Sequence, residues 1–320
     1  MMRTLSVALF LAAGAQALHA EALQDSLARM FRYDTPPFEL QSARIATRDD
    51  IEVFDVTYAS PKGGRVTAYL VAPAKPKKKS PALVFGHWGP GDRTEFLPDA
   101  ELFARVGVIS LLIDYPWVRP APHRRDQAPG IAGPEVDRDL FVQAVVDLRR
   151  GIDLLIARGD VDPARIAYVG HSYGAQWGAI LAAVDDRVGA AILMGGVGST
   201  TDMISENPDP AFVGLRAGAE PGQLERYVVL HRPLDGIRWV PYAAPTPLLF
   251  QFARFERFDT EAAMTRYFDA ASKPKAVRWY DTGHDLNDVQ ALIDRSDFLE
   301  KNTGTPSIRP LLEHAVHRVE

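Results

Sequence analysis

Short apolar runs recur along the chain from residue 51 onward, separated by turn residues and by helix-like repeats. Residues 51–59 alternate apolar and polar side chains, and residues 65–73 repeat the alternation after a Pro-Lys-Gly-Gly turn, so the pair predicts a hairpin of β-strands. The later apolar runs are continuous, which is typical of strands buried on both faces of a sheet. They lie at 81–86, just after Gly107, and at 165–169, 188–196, 245–253 and 276–281.

Helical repeats of apolar residues lie between the continuous runs. The clearest covers 134–158, where Pro134 suits the first helical turn. Further helices are predicted at 175–184, 260–272 and 286–302. Strands that alternate with helices indicate an α/β fold with a mostly parallel central sheet and helices on both faces. We therefore predict one such domain over 45–320, with antiparallel edge strands from the hairpin and a strand-free insertion, or lid, at about 198–244.

The first twenty residues differ from the rest of the chain. A short start with one arginine is followed by the apolar stretch 5–18, and small residues offer cleavage after Ala17 or Ala20. This order is that of a secretory signal peptide, and the apolar stretch is shorter than the roughly 20 residues of a membrane span. We expect a periplasmic or secreted protein with no membrane span in the mature chain. Residues 21–44 are expected to form a helix and a linker.

Composition excludes several classes of function. The net charge of −5 creates no basic field, so nucleic acid is not an expected partner. The one basic run, Lys75 to Lys79, is flanked by prolines and is interpreted as a solvated turn. The chain has no cysteine, which excludes disulfides, thiolate nucleophiles and cysteine zinc sites. His314 and His317 have a spacing that two metal ligands can use, but no third ligand joins them, so a solvated tail without metal is expected.

The sequence GHSYGA at 170–175 follows a predicted strand and precedes a predicted helix. In that context G-x-S-x-G is the pattern of a nucleophile elbow, in which Gly170 and Gly174 relieve crowding around Ser172. A serine hydroxyl is a weak nucleophile, so it needs a general base that is oriented by a carboxylate. In this architecture the chain order is serine, then the acid, then histidine.

His284 follows the last predicted strand and precedes the last predicted helix, which makes it the candidate base. The acid is expected after the strand 245–253, where Glu256 comes first and Asp259 three residues later. Glu256 is favoured because it follows the strand after a short turn, while Asp259 is suited to capping the next helix. The aspartates that flank His284 are too close in sequence to point at its ring.

The oxyanion of a tetrahedral intermediate needs two N–H donors. One is expected from the backbone of Tyr173, and the other from the glycine-rich loop 86–92, where the Trp88 amide is favoured and the His87 amide is the alternative. Aromatic and basic residues nearby are candidates for the substrate pocket, with core packing or solvation as the alternative. These are His87, Tyr115, Trp117, Tyr227 and Trp239, and the loop arginines Arg119, Arg124 and Arg125 for an acidic group.

Together, the segments GHSYGA, GHWGPG, DVDPARIAYVGHS, APTPLLFQFARFE and WYDTGHDL resemble α/β-hydrolases of the dienelactone-hydrolase and acetyl-xylan-esterase type, over about 45–300. The resemblance implies the α/β-hydrolase fold, a triad of Ser172, Glu256 and His284, no cofactor, and hydrolysis of a small-molecule carboxylic ester or related acyl bond. Dienelactone hydrolases use a cysteine that this chain lacks, so that activity is not expected. A small exported serine peptidase and a non-catalytic binding protein with this fold are the alternatives.

Overall fold

A computed structural model describes residues 25–76, 79–128 and 130–315. The predicted signal peptide lies outside these residues, as do part of the lysine run and His317. Residues 25–28 are helical and Arg29–Phe31 form a 3-10 turn, within the segment that was predicted to begin with a helix. Phe31 is fully buried and its ring packs edge-on against Trp239 at 5.4 Å, so this leading segment is attached to the core.

Nine strands of the described residues form one sheet in the order β1-β2-β3-β5-β4-β6-β7-β8-β9. The first three strands and β5 are joined by antiparallel pairs, and all pairs from β5 through β4 to β9 are parallel. The strands are β1 Gln41–Arg48, β2 Ile51–Ala59, β3 Arg65–Pro73, β4 Ser80–Gly86, β5 Ile109–Ile113, β6 Val161–His171, β7 Ala191–Met194, β8 Leu248–Phe255 and β9 Lys275–Gly283.

Helices cover both faces of the sheet. They are α1 Leu97–Arg105, α2 Pro134–Ala157, α3 Tyr173–Val184, α4 Thr200–Glu206, α5 Pro210–Ala217, α6 Gln223–His231, α7 Glu261–Ala270, α8 Val289–Thr303 and α9 Arg309–Ala315. Side chains of α2, α3 and α7 share one hydrophobic cluster, and those of α1, α8 and α9 share another. On β4, Val84 belongs to the first cluster and its neighbours Leu83 and Phe85 to the second, as the alternation of a strand requires. The predicted mostly parallel sheet between two helical layers is confirmed.

β1 was not predicted, because residues 41–44 were assigned to a linker. Seven of its eight residues are exposed and the strand lies at one edge of the sheet, paired only with β2. An edge strand that faces solvent on both sides has no apolar alternation, and so it lacks the signal by which strands are recognised. It is held by the antiparallel register from Gln41–Thr57 to Arg48–Ile51.

The insertion expected at about 198–244 contains no strand, and it is largely helical, which the sequence did not predict. It contains α4, α5 and α6, followed by three short 3-10 turns that end at Tyr242. Ile204 and Tyr227 form a small separate hydrophobic cluster with Ile131. The insertion therefore has its own packing, next to the two clusters of the sheet.

The parallel strands bring their carboxyl ends to one edge of the sheet. β4, β6, β8 and β9 end at Gly86, His171, Phe255 and Gly283, each within three residues of a predicted site residue. No helix among the described residues is long and apolar enough to cross a membrane. Of the two histidines expected in a solvated tail, His314 falls within the helix α9, whose Leu312 is buried.

Candidate active site

Ser172 lies in a sharp turn between β6 and α3, with φ 54° and ψ −111°. This positive φ is one that residues other than glycine rarely adopt. Hydrogen bonds hold the turn on both sides: Ser172 N–H donates to the Met194 carbonyl at 2.8 Å, and Gln176 N–H donates to the Ser172 carbonyl at 3.1 Å. A strained turn persists only where its surroundings impose it. The strand–turn–helix arrangement expected of an elbow is present around Ser172.

Close backbone contacts require the glycines on either side of Ser172. A Cβ at Gly170 would lie 2.3 Å from the Gly174 carbonyl oxygen, and a Cβ at Gly174 would lie 2.1 Å from the Gly86 carbonyl oxygen. Neither distance is compatible with a side chain. The second contact brings the elbow directly against the end of β4, where the glycine-rich loop begins.

His284 and Glu256 form a hydrogen-bonded pair. The distance between His284 Nδ1 and Glu256 Oε2 is 2.7 Å, and the two side chains are 11% and 3% exposed. A carboxylate oxygen accepts, so Nδ1 carries the hydrogen of this bond, and in the neutral imidazole the lone pair is then on Nε2. Nε2 is buried and has no hydrogen-bond partner among the described residues. A histidine that is held through Nδ1 and leaves Nε2 without a partner has the geometry that a general base requires.

The environment of Glu256 favours its ionised form. Burial alone would raise the pKa of this carboxyl, but the hydrogen bond and charge of His284, with N–H donors from Phe258 and Arg257, bring the pKa below its ordinary value. Those two amides donate to Oε1 at 2.9 and 2.8 Å. Both carboxylate oxygens therefore have partners, which fixes the side chain against His284.

Asp259, the alternative acid, lies in a different environment. Its Oδ1 accepts from Thr260 N–H at 2.9 Å. Burial, and secondarily the nearby charge of Glu256, raises the pKa of Asp259 to about 6. The expectation that Asp259 caps α7 is wrong, because the Thr260 side chain is the cap and accepts from Ala263 N–H at 3.2 Å. Threonine one residue later is the better placed cap, since its backbone is extended there.

The loop after β4 differs from its predicted form at Trp88. The Trp88 N–H, which was favoured as an oxyanion donor, already donates to Glu95 Oε2 at 2.7 Å. Its indole lines the cavity and is 41% exposed in total. The backbone of Gly86 and His87 lies against Gly174 at the elbow. Because Glu95 already uses the Trp88 amide, the alternative, the His87 amide, remains as the candidate donor from this loop.

The His87 side chain is not a pocket residue. It is 2% exposed, its Nε2 accepts from Tyr115 N–H at 3.1 Å, and its Nδ1 lies 2.6 Å from the Trp88 carbonyl. Burial lowers the pKa of His87 to about 4, so the ring is neutral and Nδ1–H donates to that carbonyl. The ring holds the loop against Tyr115, two residues after the end of β5, and it does not line the cavity.

A cavity of about 620 Å³ opens beside the elbow and is lined by both Ser172 and His284. Most of its wall is apolar. Aromatic side chains dominate that wall, namely Trp88, Trp117, Tyr173, Phe212 and Phe258. Polar groups are fewer and include Gln127, Gln176, Thr200 and Arg257. Such a cavity has the size and lining of a small-molecule site.

Among the predicted pocket walls, Trp117 lines the cavity, and its indole N–H donates to the Gly89 carbonyl at 2.8 Å. Tyr115 and Trp239 are fully buried in the core and do not line it. Tyr227 stacks on His231 at 4.0 Å within the insertion. Most of the aromatic residues considered for the pocket therefore pack in the interior, because a buried indole or phenol ring contributes a large apolar surface there.

The loop arginines do not reach the cavity. Arg119 is fully buried and pairs with the equally buried carboxylate of Asp147. Arg124 donates to the Arg119 carbonyl at 3.2 Å, and Arg125 donates to the Gln143 side chain. The hypothesis that they bind an acidic substrate group is not supported, because none of the three lines the cavity: Arg119 and Arg125 contact side chains of α2, and Arg124 bonds within the loop.

Sequence reasoning missed several residues around the cavity. Phe258 packs edge-on against the His284 ring at 4.6 Å, and an aromatic residue two positions after the candidate acid was its only signal. Met203 and Phe212 come from the helical insertion, which has no pattern that marks a cavity wall. Gln176, in the turn after the elbow, accepts from the Thr200 hydroxyl at 2.6 Å and so joins α3 to α4.

Comparison with known proteins identifies the sequence family. The profile of the acetyl xylan esterase (AXE1) family matches residues 21–194, which is more than half of the chain. Among curated proteins no significant match is found.

Solved structures of similar fold include an acetyl xylan esterase from Paenibacillus sp. R4, with a TM-score of 0.71 and 21% identity over 89% of this chain and 93% of that one. Acetyl xylan esterase 1 from Thermoanaerobacterium sp. JW/SL YS485 has a TM-score of 0.69 and 16% identity over 87% and 93% of the two chains. An α/β hydrolase from Penicillium sp. sh18 has a TM-score of 0.59 and 19% identity over 79% and 99%. These likenesses establish the α/β-hydrolase fold.

The contact between Gly174 and Gly86 predicts the effect of a single methyl group. In Gly174→Ala the added Cβ must push the loop after β4 away from the elbow, because it would otherwise lie 2.1 Å from a backbone oxygen. We expect the free energy of unfolding to fall by about 1–3 kcal/mol. We expect kcat for 4-nitrophenyl acetate to fall by about 100-fold, since a displacement of about 1 Å has that effect.

The matched control is Gly214→Ala, within α5, where an added Cβ meets no atom within 4 Å. This variant should keep its kcat and gain roughly 0.5–1 kcal/mol of stability. Urea denaturation and steady-state kinetics measure both quantities. A kcat for Gly174→Ala within twofold of the wild type would contradict the importance of this contact.

Proposed function

Because the chain belongs to the acetyl xylan esterase (AXE1) family, and is a serine hydrolase that acts on ester bonds, we propose that it cleaves a small-molecule carboxylic ester by acyl transfer through Ser172, His284 and Glu256. The observation that carries this proposal is that His284, hydrogen-bonded to Glu256, lines the same cavity as Ser172. The acyl group is proposed to be small, following the family's acetyl esters.

The first half of the reaction forms an acyl-enzyme. His284 Nε2 accepts the proton of the Ser172 hydroxyl while Oγ attacks the ester carbonyl carbon. The imidazolium that results keeps its Nδ1–H bond to the Glu256 carboxylate, which stabilises the new positive charge. Nε2–H then protonates the leaving alkoxide, the carbon–oxygen bond breaks, and the alcohol departs.

The second half reverses the proton transfers with water. A water molecule gives a proton to His284 Nε2 and attacks the acyl carbon, and the carboxylic acid leaves as Ser172 recovers its proton. In both halves the carbonyl oxygen becomes an oxyanion. The proposed donors are the Tyr173 amide and the His87 amide. The Tyr173 amide lies at the start of α3, where the partial positive charge of the helix N-terminus also stabilises an oxyanion.

We propose that the protein is exported, from the arrangement of residues 1–20. Expression of the full chain in a bacterium should yield a shortened protein in the periplasm or medium. N-terminal sequencing should begin at Leu18 or at Glu21, after cleavage at Ala17 or Ala20. Recovery of the intact chain from the cytoplasm alone would contradict export.

Replacement of the nucleophile tests the catalytic proposal. Ser172→Ala should lower kcat by a factor of about 10⁴ or more, because no acyl-enzyme can form. A serine-directed fluorophosphonate should label the wild type and not the variant, and mass spectrometry should place the label on Ser172. Substantial ester hydrolysis by the correctly folded variant would overturn the assignment.

The same label separates the alternatives. A wild-type protein that takes no label and hydrolyses no ester would be a binding protein. Faster cleavage of aminoacyl amides than of acetyl esters would indicate a peptidase.

Replacement of each of the two candidate acids should lower kcat by a different factor. Glu256→Gln keeps the shape of the side chain but removes the charge opposite His284, so kcat should fall by about 10²–10⁴-fold. Asp259→Asn, three residues later, is the matched control and should change kcat by less than about threefold, because its carboxyl bonds to Thr260 rather than to the histidine. Kinetics of both variants decide between them. A larger loss in Asp259→Asn would transfer the role to that residue.

A further inference from the structure

His171, the residue before Ser172, has an almost fully buried side chain with a partner at each ring nitrogen. Its Nδ1 lies 2.5 Å from Glu95 Oε1, and its Nε2 lies 2.9 Å from the backbone carbonyl oxygen of His284. Glu95 Oε2 in turn accepts from Trp88 N–H at 2.7 Å. One imidazole–carboxylate pair therefore joins three segments: the loop after β4, the elbow, and the turn that carries His284.

The geometry determines how each ring nitrogen is used. A carbonyl oxygen only accepts, so His171 Nε2 carries a hydrogen and donates it to the His284 carbonyl. The short Nδ1 contact holds one hydrogen between the imidazole and one oxygen of the Glu95 carboxyl group, and the other oxygen of that group accepts from Trp88 N–H. Both ring nitrogens are therefore engaged in hydrogen bonds.

The bond to the carbonyl acts on the residue proposed as the base. Glu256 holds the His284 ring through Nδ1, but a shift of the backbone would still move Nε2 relative to Ser172. His171 holds that backbone, and the rings of His171 and His284 are 5.0 Å apart. On another side, a Cβ at Gly195 would lie 3.1 Å from the same His284 carbonyl oxygen, so the main chain is tightly packed there.

We propose that Glu95 and His171 are a positioning pair, which fixes the backbone of His284 relative to the loop that carries an oxyanion donor. This inference rests on the proposed function, because it requires His284 to be the base. Neither side chain lines the cavity, so substrate binding is not expected to depend on them. Loss of the pair should lower kcat and leave KM nearly unchanged.

The first test removes both hydrogen bonds while keeping a ring. In His171→Phe we expect kcat for 4-nitrophenyl acetate to fall by about 10–100-fold, with KM within about twofold. Glu95→Ala, at a partly exposed side chain, should show a similar loss. Glu101→Gln is the control, because this carboxylate six residues later does not line the cavity, and its kcat should equal that of the wild type.

The second test keeps the hydrogen bonds of residue 95 but replaces its carboxyl group with an amide. In Glu95→Gln the amide NH₂ can donate to Nδ1 of a neutral His171, and the amide oxygen can accept from Trp88 N–H. All three connections survive, so kcat should recover to within about threefold of the wild type. A merely structural role of Glu95 in charge balance would not predict this rescue.

The outcomes distinguish failure of the positioning pair from failure of the proposed function. Wild-type protein that takes no fluorophosphonate label at Ser172 and hydrolyses no ester would overturn the proposed function. Wild-type labelling and hydrolysis, with unchanged kcat in folded His171→Phe and Glu95→Ala, would overturn only the positioning pair. If His171→Phe does not fold, as judged by circular dichroism, the comparison of Glu95→Ala with Glu95→Gln decides: a difference of tenfold or more supports the pair, and equal kcat values overturn it.

Discussion

The site depends on a contact between two backbones. At the elbow the main chain of Gly174 lies so close to the Gly86 carbonyl that no side chain fits between them. This contact exists because β4 and β6 are parallel neighbours, with Gly86 directly opposite Gly170 in register. The strained turn at Ser172 lies directly beside this contact. The same contact holds the glycine-rich loop, part of which lines the cavity, next to the elbow.

Around that contact, two carboxyl groups have hydrogen-bond partners at both of their oxygens. Both oxygens of Glu256 are used, one by His284 and one by two backbone amides, and both oxygens of Glu95 are used by His171 and Trp88. A buried carboxylate is tolerated only when its oxygens are paired. These partners also restrict rotation, so the groups that satisfy the carboxyl oxygens are the same groups that hold the site in one geometry.

The sheet and the insertion have separate roles. The carboxyl ends of the strands carry Ser172, Glu256 and His284, which would serve any acyl transfer. The apolar wall comes partly from elsewhere, since Met203 and Phe212 belong to the helices inserted before β8. If the proposed function holds, selection among substrates can therefore change through the insertion, while the positions of the proposed reacting groups stay constrained by the sheet.

The sequence alone determined the order of the strands after β1 and of four helices that cover the sheet, the elbow at Ser172, and the pairing of His284 with an acid after β8, because these depend on local apolar periodicity and on chain order. It could not decide between the Trp88 and His87 amides, separate Trp117 from Trp239, or detect β1. Those depend on contacts between separate segments: Glu95 accepts the hydrogen bond of the Trp88 amide, and core packing buries the Trp239 indole away from the cavity. Local pattern encodes the elements, whereas only tertiary structure determines which hydrogen-bonding groups remain free.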